Sequence, residues 1–346
     1  MNIALLAPLW KKIPPEKYGG SELVVANLAK GLSGLGHDVS TFACAGSNVS
    51  GTLIPVIPKP MYDLVGGFDW NGIKQHEFLS FFELGKRIKE FDIVHNHMGF
   101  HPIALAPLLP VPMVTTLHSS APPDFPELAK AFHGEPFVSI SAAQRMLAPS
   151  LRYVATVLHG IDVQAFNPRL EGKGEGFVFI GTISRNKGVD IAIRTAVALK
   201  IPLVIAGEIR ESDKEFFDKE VSPFIDGENI RFIGEIGSQD KNRILREADA
   251  LLFPSRWKEA FGLVMIEALA CGTPVVALGN GAVPEVLRDG VTGFIAKDEE
   301  AFVKAAADTS RLSRIAARKE AEERFNLSRM AKDYIEVYQL LIKMRQ

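Results

Sequence analysis

Cysteine is scarce in this chain, with only Cys44 and Cys271 among 346 residues. Two thiols exclude a disulfide framework and lead to the expectation of a reducing, cytoplasmic location. An excess of one charge is also missing. Lys and Arg number 39 against 41 Asp and Glu, which leaves a net charge of −2 and argues against a general nucleic-acid binder or a basic membrane-surface protein. No long hydrophobic run is present either. The longest apolar stretch, 103–117, is cut by Pro107, Pro110 and Pro112, whereas a membrane span needs about 20 apolar residues. The opening Met1-Asn2-Ile3-Ala4-Leu5-Leu6 has no basic region before its apolar run, so no secretory signal is expected. Ala7-Pro8-Leu9-Trp10 follows that run where a Gly-x-Gly-x-x-Gly loop would stand, which counts against a dehydrogenase. Internal repeats and low-complexity tracts are absent as well.

What is present is alternation. The length suits about two domains at roughly 150 residues each. Near-continuous apolar runs predict strands at 3–7, 38–43, 93–95, 111–117, 137–140 and 154–158, with helices at 21–35, 77–89 and 127–132. The polar, breaker-rich stretch 167–176 is the expected linker. The alternation then restarts, with strands at 177–180, 203–206, 230–233, 250–253 and 274–277 and helices at 189–199, 213–224, 240–247 and 262–270. Two strand–helix series predict an α/β protein of two doubly wound domains, at 1–163 and 164–325, with the active site in the cleft between them. Met330, Tyr334, Val337 and Leu341 keep helical spacing, so 326–346 is expected to be a helix packing back towards the first domain.

Four segments carry chemistry. In Pro254-Ser255-Arg256-Trp257-Lys258-Glu259-Ala260-Phe261-Gly262-Leu263-Val264-Met265-Ile266-Glu267, a strand gives way to a helix whose first amides, near Phe261 to Val264, lack intrahelical partners. Glu267 sits in an apolar helix, where an unpaired charge is costly, and a carboxylate there can accept both hydroxyls of a ribose. Glu259 can accept from a second sugar. A solvated Glu259 and an internally satisfied Glu267 would be the plainer account of either residue alone. Tyr18-Gly19-Gly20-Ser21-Glu22 opens a helix, and its two glycines let backbone amides approach a diphosphate, although a simple turn needs the same residues. Gly181-Thr182-Ile183-Ser184-Arg185-Asn186-Lys187-Gly188 follows a strand, and cations there suit a departing diphosphate. Thr115-Thr116-Leu117-His118 ends a strand with a histidine, a residue more often structural than functional. His95-Asn96-His97 and His101 lack a matching carboxylate or cysteine set, so no metal is expected. Phe68, Trp70, Phe78, Phe81 and Phe82 read as core packing, with an apolar acceptor wall as the alternative.

Taken together, the first segment resembles the paired-glutamate motif of retaining family-four glycosyltransferases with the GT-B fold, two facing Rossmann-like domains. Ala270-Cys271-Gly272-Thr273-Pro274, Gly281-Ala282-Val283-Pro284-Glu285 and Asp289-Gly290-Val291-Thr292-Gly293-Phe294 match the same family, and the likeness runs along nearly the whole chain. It implies donor binding by Gly19, Gly20, Phe261, Gly262, Leu263, Val264 and Glu267. It implies catalytic roles for His118, Lys187 and Glu259, and an acceptor pocket edged by Asn96, His97 and His101. Family members carry an arginine where this chain has Thr182, so Arg185 is inferred, not carried over, as the second phosphate cation. Ser139–Arg145 and His159-Gly160-Ile161-Asp162 echo the family as structural segments. The Tyr18–Glu22 and His95–His97 segments are similar to a subgroup containing tetrahydrobiopterin glucosyltransferases. The expectation is a metal-independent, retaining hexosyltransferase with no cofactor beyond a nucleotide-sugar co-substrate, UDP-glucose first, and an unidentified acceptor. A sugar-nucleotide epimerase of the same fold and a non-catalytic nucleotide-sugar-binding protein are the alternatives.

Overall fold

The computed structural model describes residues 1–65, 70–119 and 126–345. The chain forms two compact units, Met1–Ile161 with Leu327–Gln346, and Asp162–Asn326.

The first unit is built on a seven-stranded parallel sheet of order β3-β2-β1-β4-β5-β6-β7. Its strands are β1 (Asn2–Leu6), β2 (Asp38–Cys44), β3 (Thr52–Ile57), β4 (Ile93–Asn96), β5 (Met113–Thr116), β6 (Phe137–Ser139) and β7 (Tyr153–Thr156). Central strands are buried on both faces, which is why they read as unbroken apolar runs. The edge strand β3 is half-buried and carries Pro55, so its sequence does not announce a strand. The stretch expected at 111–117 narrows to β5, because Pro110 and Pro112 cannot donate to a ladder. The Leu327–Arg345 helix buries Met330, Ala331, Tyr334, Val337, Tyr338 and Leu341 in the core shared by β1 and the Gly20–Gly34 helix.

The second unit has a six-stranded parallel sheet of order β10-β9-β8-β11-β12-β13. Its strands are β8 (Phe177–Ile180), β9 (Leu203–Ala206), β10 (Ile230–Phe232), β11 (Ala250–Phe253), β12 (Val275–Leu278) and β13 (Gly293–Ala296). In each sheet the strand order reverses once, between β1 and β4 and between β8 and β11. In open parallel sheets ligands bind beyond the carboxyl ends of the strands at such a reversal.

Three expectations are corrected. The 167–176 stretch is no free tether: Arg169 N donates to Cys271 O at 3.0 Å, and Gly174 N and Gly176 N donate to the Asp249 carboxylate at 2.6 and 3.0 Å. Breaker residues here fit a tight wrap onto the second unit. The helix expected at 77–89 runs Trp70–Arg87. On it Phe78 and Phe82 are 55% and 62% exposed, so they are not core, whereas Phe81 packs partly buried near Phe42 and Leu84; Phe68 lies outside the described residues.

Candidate active site

In the second unit the site is assembled at the β8/β11 reversal. The loop after β8 carries Lys187 and the loop after β11 carries Glu259, and the two side chains form an ion pair. Ser255 Oγ also donates to Glu259 Oε1, at 2.9 Å, so both contacts fall on one carboxylate oxygen. The backbone around Glu259 is held as tightly as its side chain. Asn280 Nδ2 donates to Ser255 O at 2.8 Å, and Ala282 N donates to Glu259 O at 2.9 Å. Gly281 sits between them at φ 57°, where a Cβ would lie 2.3 Å from Glu259 O. Only glycine permits that approach.

The Leu263–Ala270 helix begins beside this pair. Gly262 precedes it at φ 91°, and its Cβ position would press on Met265 and Phe253. Gly262, Leu263 and Val264 are half-exposed while the rest of the helix is buried, so the amide-bearing first turn is the part that reaches solvent. Deeper in the same helix, Glu267 is buried, and Lys241 of the Ser238–Glu247 helix donates to its Oε1 at 2.5 Å. Burial and the neighbouring Glu267 push the Cys271 thiol up to about 12, which removes it as a nucleophile at neutral pH.

Arg185 is placed elsewhere. Its guanidinium pairs with Glu220 at 3.0 Å and lies over the Phe216 ring, and it is largely exposed. The structure therefore gives it partners other than Lys187 and Glu259, which differs from the expected second phosphate cation. Its carbonyl accepts from Arg256, whose guanidinium is fixed by Asp190 at 2.7 and 2.8 Å. Thr182, at the family's arginine position, is buried.

In the first unit, four histidine rings follow one another in contact, His95 tilted by 40° to His97 and the other two pairs stacked. His95 and His97 ring centres are 3.9 Å apart, His97 and His118 5.1 Å, and His118 and His159 5.5 Å. His95 bridges Tyr338 OH at 2.7 Å and Thr116 Oγ1 at 2.8 Å, and Thr116 meets Tyr334 OH at 3.0 Å. His97 Nδ1 and His118 Nε2 share a hydrogen bond of 2.8 Å. Burial lowers all four pKa values, that of His118 to about 4, so the stack is neutral at neutral pH. The backbone carrying His118 is clamped by Gln144, whose Nε2 donates to Leu117 O and Ser119 O at 2.9 Å each. That clamp gives the Ser139–Arg145 echo its structural role.

The remaining residues separate. Asn96 is fully buried, and its amide donates to Gly99 O and Thr115 Oγ1 and accepts from Met98 N. It closes a turn instead of edging an acceptor pocket. His101 lies 3.9 Å from Glu77, whose carboxyl burial pushes up to about 8, and takes no part in the histidine stack. Gly19 and Gly20 start the Gly20–Gly34 helix at the end of the β1 loop, with Glu22 buried in its first turn. Among the described residues, no group of three or more His, Cys, Asp or Glu is placed to hold a metal ion.

Residues 161–325 match the family of glycosyl transferases group 1, and residues 18–164 match Glycosyltransferase Family 4. The chain belongs to the glycosyltransferase family. Among curated relatives of this glycosyltransferase is D-inositol 3-phosphate glycosyltransferase of Mycobacterium sp. (strain KMS), 27% identical over 325 residues and covering 80% of this chain and 74% of that protein. Solved structures share its GT-B architecture. Sucrose-phosphate synthase from Thermosynechococcus elongatus superposes with a TM-score of 0.80 at 19% identity, over 99% of each chain. Anabaena HepE in complex with UDP and glucose does so with a TM-score of 0.74 at 17% identity, over 99% of this chain and all of the other.

Sequence reasoning missed three site residues of this glycosyltransferase: Lys241, Ser255 and Asn280. Ser255 was within reach, since it lies four positions before Glu259 in the same loop. Lys241 and Asn280 come from other elements, and nothing in their local sequence separates them from neighbouring solvated polar residues.

Proposed function

We propose that this glycosyltransferase moves a hexose, with retention of configuration, from a nucleotide diphosphate donor to an acceptor hydroxyl. The observation that carries the proposal is the pairing of Lys187 with Glu259 at the strand-order reversal of the second sheet, beside the exposed first turn of the Leu263–Ala270 helix. In this reading Glu267, held on one oxygen by Lys241, accepts from the ribose hydroxyls through the other. Lys187 and the amides of Phe261, Gly262, Leu263 and Val264 take the diphosphate. Glu259 then orients the transferred sugar, and His118 donates to one of its oxygens. Gly19 and Gly20 are assigned to the same diphosphate.

The step is a front-face displacement. The acceptor oxygen forms its bond to the anomeric carbon as the bond to the leaving phosphate oxygen breaks, and the acceptor proton passes to that phosphate. The negative charge that grows on the phosphate is met by Lys187 and the helix amides, so neither a side-chain nucleophile nor a metal is required. UDP-glucose is the first donor to test, because the Tyr18–Glu22 and His95–His97 segments resemble a glucosyltransferase subgroup. A thermal-shift panel of UDP-, GDP- and ADP-sugars tests the reading, since a ligand that binds the folded state raises its melting temperature. Stabilisation by one sugar nucleotide together with its slow hydrolysis supports transfer. Stabilisation without turnover under any acceptor condition favours a binding protein, and conversion of the bound sugar to an epimer favours the epimerase.

A further inference from the structure

We infer that Arg256 is a positioning residue whose guanidinium, set by Asp190, locks the loop carrying Lys187 to the loop carrying Glu259; this rests on the proposed roles of those two residues at the donor. The two loops touch at consecutive residues. Asn186 O accepts from Arg256 N at 2.9 Å, from Trp257 N at 3.3 Å and from Ser255 Oγ at 3.4 Å. Arg256 Nη1 donates to Arg185 O at 2.9 Å. Gly188 lies against the same loop, where a Cβ would stand 2.1 Å from Pro254 O. Lys187 is thus flanked on both sides by residues joined to 254–257, and Glu259 follows in that same loop.

The guanidinium is itself fixed. Nη1 and Nη2 take the two oxygens of Asp190 at 2.7 and 2.8 Å, and Nη2 also donates to Glu299 at 3.0 Å. With the bond to Arg185 O, both N–H groups of each terminal nitrogen are matched to acceptors, and only Nε–H is left. Arg256 therefore has no free fork to offer a phosphate, and it does not replace the arginine absent at Thr182. Asp190 is buried in the first turn of the Val189–Leu199 helix, just after Gly188, and Arg194 holds it as well at 3.0 Å. The carboxylate keeps a cationic partner when Arg256 is removed, which spares the fold an unpaired buried charge. The contact to the Lys187 loop has no such substitute: among the described residues, no other side chain donates to Arg185 O. A lysine ammonium is a point charge and cannot reproduce a planar bridge from a carboxylate to a backbone carbonyl. Loss of Arg256 should free the two loops from each other and leave the sheet intact.

The test is Arg256→Ala and Arg256→Lys in the full chain, read by turnover, UDP affinity, melting temperature and amide hydrogen exchange. Arg256→Lys keeps a positive charge beside Asp190 and so guards against a variant that fails to fold. Both variants should lower kcat for UDP-glucose hydrolysis about ten- to a hundred-fold, the worth of one charged hydrogen bond. KM and UDP affinity should change less than about threefold, because a misplaced Lys187 and Glu259 fail most where charge grows in the transition state. Without ligand, exchange of the amides at 256 and 257 should speed up about tenfold or more, as for a local opening. The melting temperature should stay within about 3 °C of the original chain. Unchanged kcat or unchanged exchange in either folded variant overturns the inference. So does a UDP affinity that falls as far as kcat, since Arg256 would then touch the donor. Faster exchange across the whole second unit also overturns it, because Arg256 would then hold the fold and not the loops. The exchange readout does not depend on turnover. A chain that turns over no sugar nucleotide but shows the local speeding would end the functional reading and support the lock.

Discussion

Lys241 and Glu267 meet at 2.5 Å inside the second unit, although they belong to different helices and lie 26 positions apart. The lysine compensates a buried carboxylate and holds one of its oxygens. Removing the lysine would leave the carboxylate buried and unpaired, which is the costly direction.

Glu267→Ala is therefore predicted to weaken UDP and GDP binding by about ten- to a hundred-fold, because a charged hydrogen bond to the ribose is lost. Lys241→Met should weaken it in the same direction, because Glu267 loses the partner that holds one of its oxygens. Calorimetry on folded variants decides the matter; unchanged nucleotide affinity in Glu267→Ala removes the ribose assignment.

Lys187 and Arg185 should behave differently. Lys187→Ala is expected to lower turnover at saturating donor by about 10²–10³, by analogy with loss of one oxyanion donor. Arg185→Ala should leave turnover within about two-fold, as for an exposed charge paired with Glu220. A large loss on removing Arg185 would show that its guanidinium leaves Glu220 for the diphosphate during the reaction.

Activity is expected to persist in EDTA, because Lys187 and the helix amides meet the phosphate charge. Activity abolished by EDTA and restored by Mg²⁺ or Mn²⁺ would contradict this.

Stability should fall on acidification from pH 6.5 to 5. His95, His97, His118 and His159 have folded pKa values below 6.5, so the unfolded chain binds more protons in this window and unfolding is favoured as pH drops. Glu22 and Glu77 are shifted upward by burial and act with the opposite sign. His37 and His101, also lowered, and Glu135, also raised, join the two sides, so six groups oppose three and the net effect of acid in this window is a loss of stability. Urea midpoints at pH 6.5, 5.75 and 5 measure it, and a midpoint that rises with acid across this window refutes the assignment of four neutral histidines.

The alternation of both sheets was legible because central parallel strands are buried on two faces and so read as unbroken apolar runs. The strands that escaped are at the edges. Half-buried β3 has Pro55, and β13 is only four residues long and begins at Gly293, inside the Asp289–Phe294 motif. Within the site, Glu259, Gly262 and Lys187 stand in loops directly after strands, where local spacing signals their position. The partners do not. Whether a buried glutamate is met by Lys241, or a solvent-side arginine by Glu220, depends on helices brought together only by folding. Asn96 shows the reverse limit, since a polar residue at a strand's carboxyl end looks functional until its amide is seen to close a turn.

The central claim is retaining transfer from a sugar nucleotide, and proton NMR of UDP-glucose hydrolysis tests it most directly. The donor's glucose is α-linked, and the first sugar released is predicted to be α-glucose, appearing with UDP and drifting to the anomeric equilibrium afterwards. First appearance of β-glucose would contradict the account.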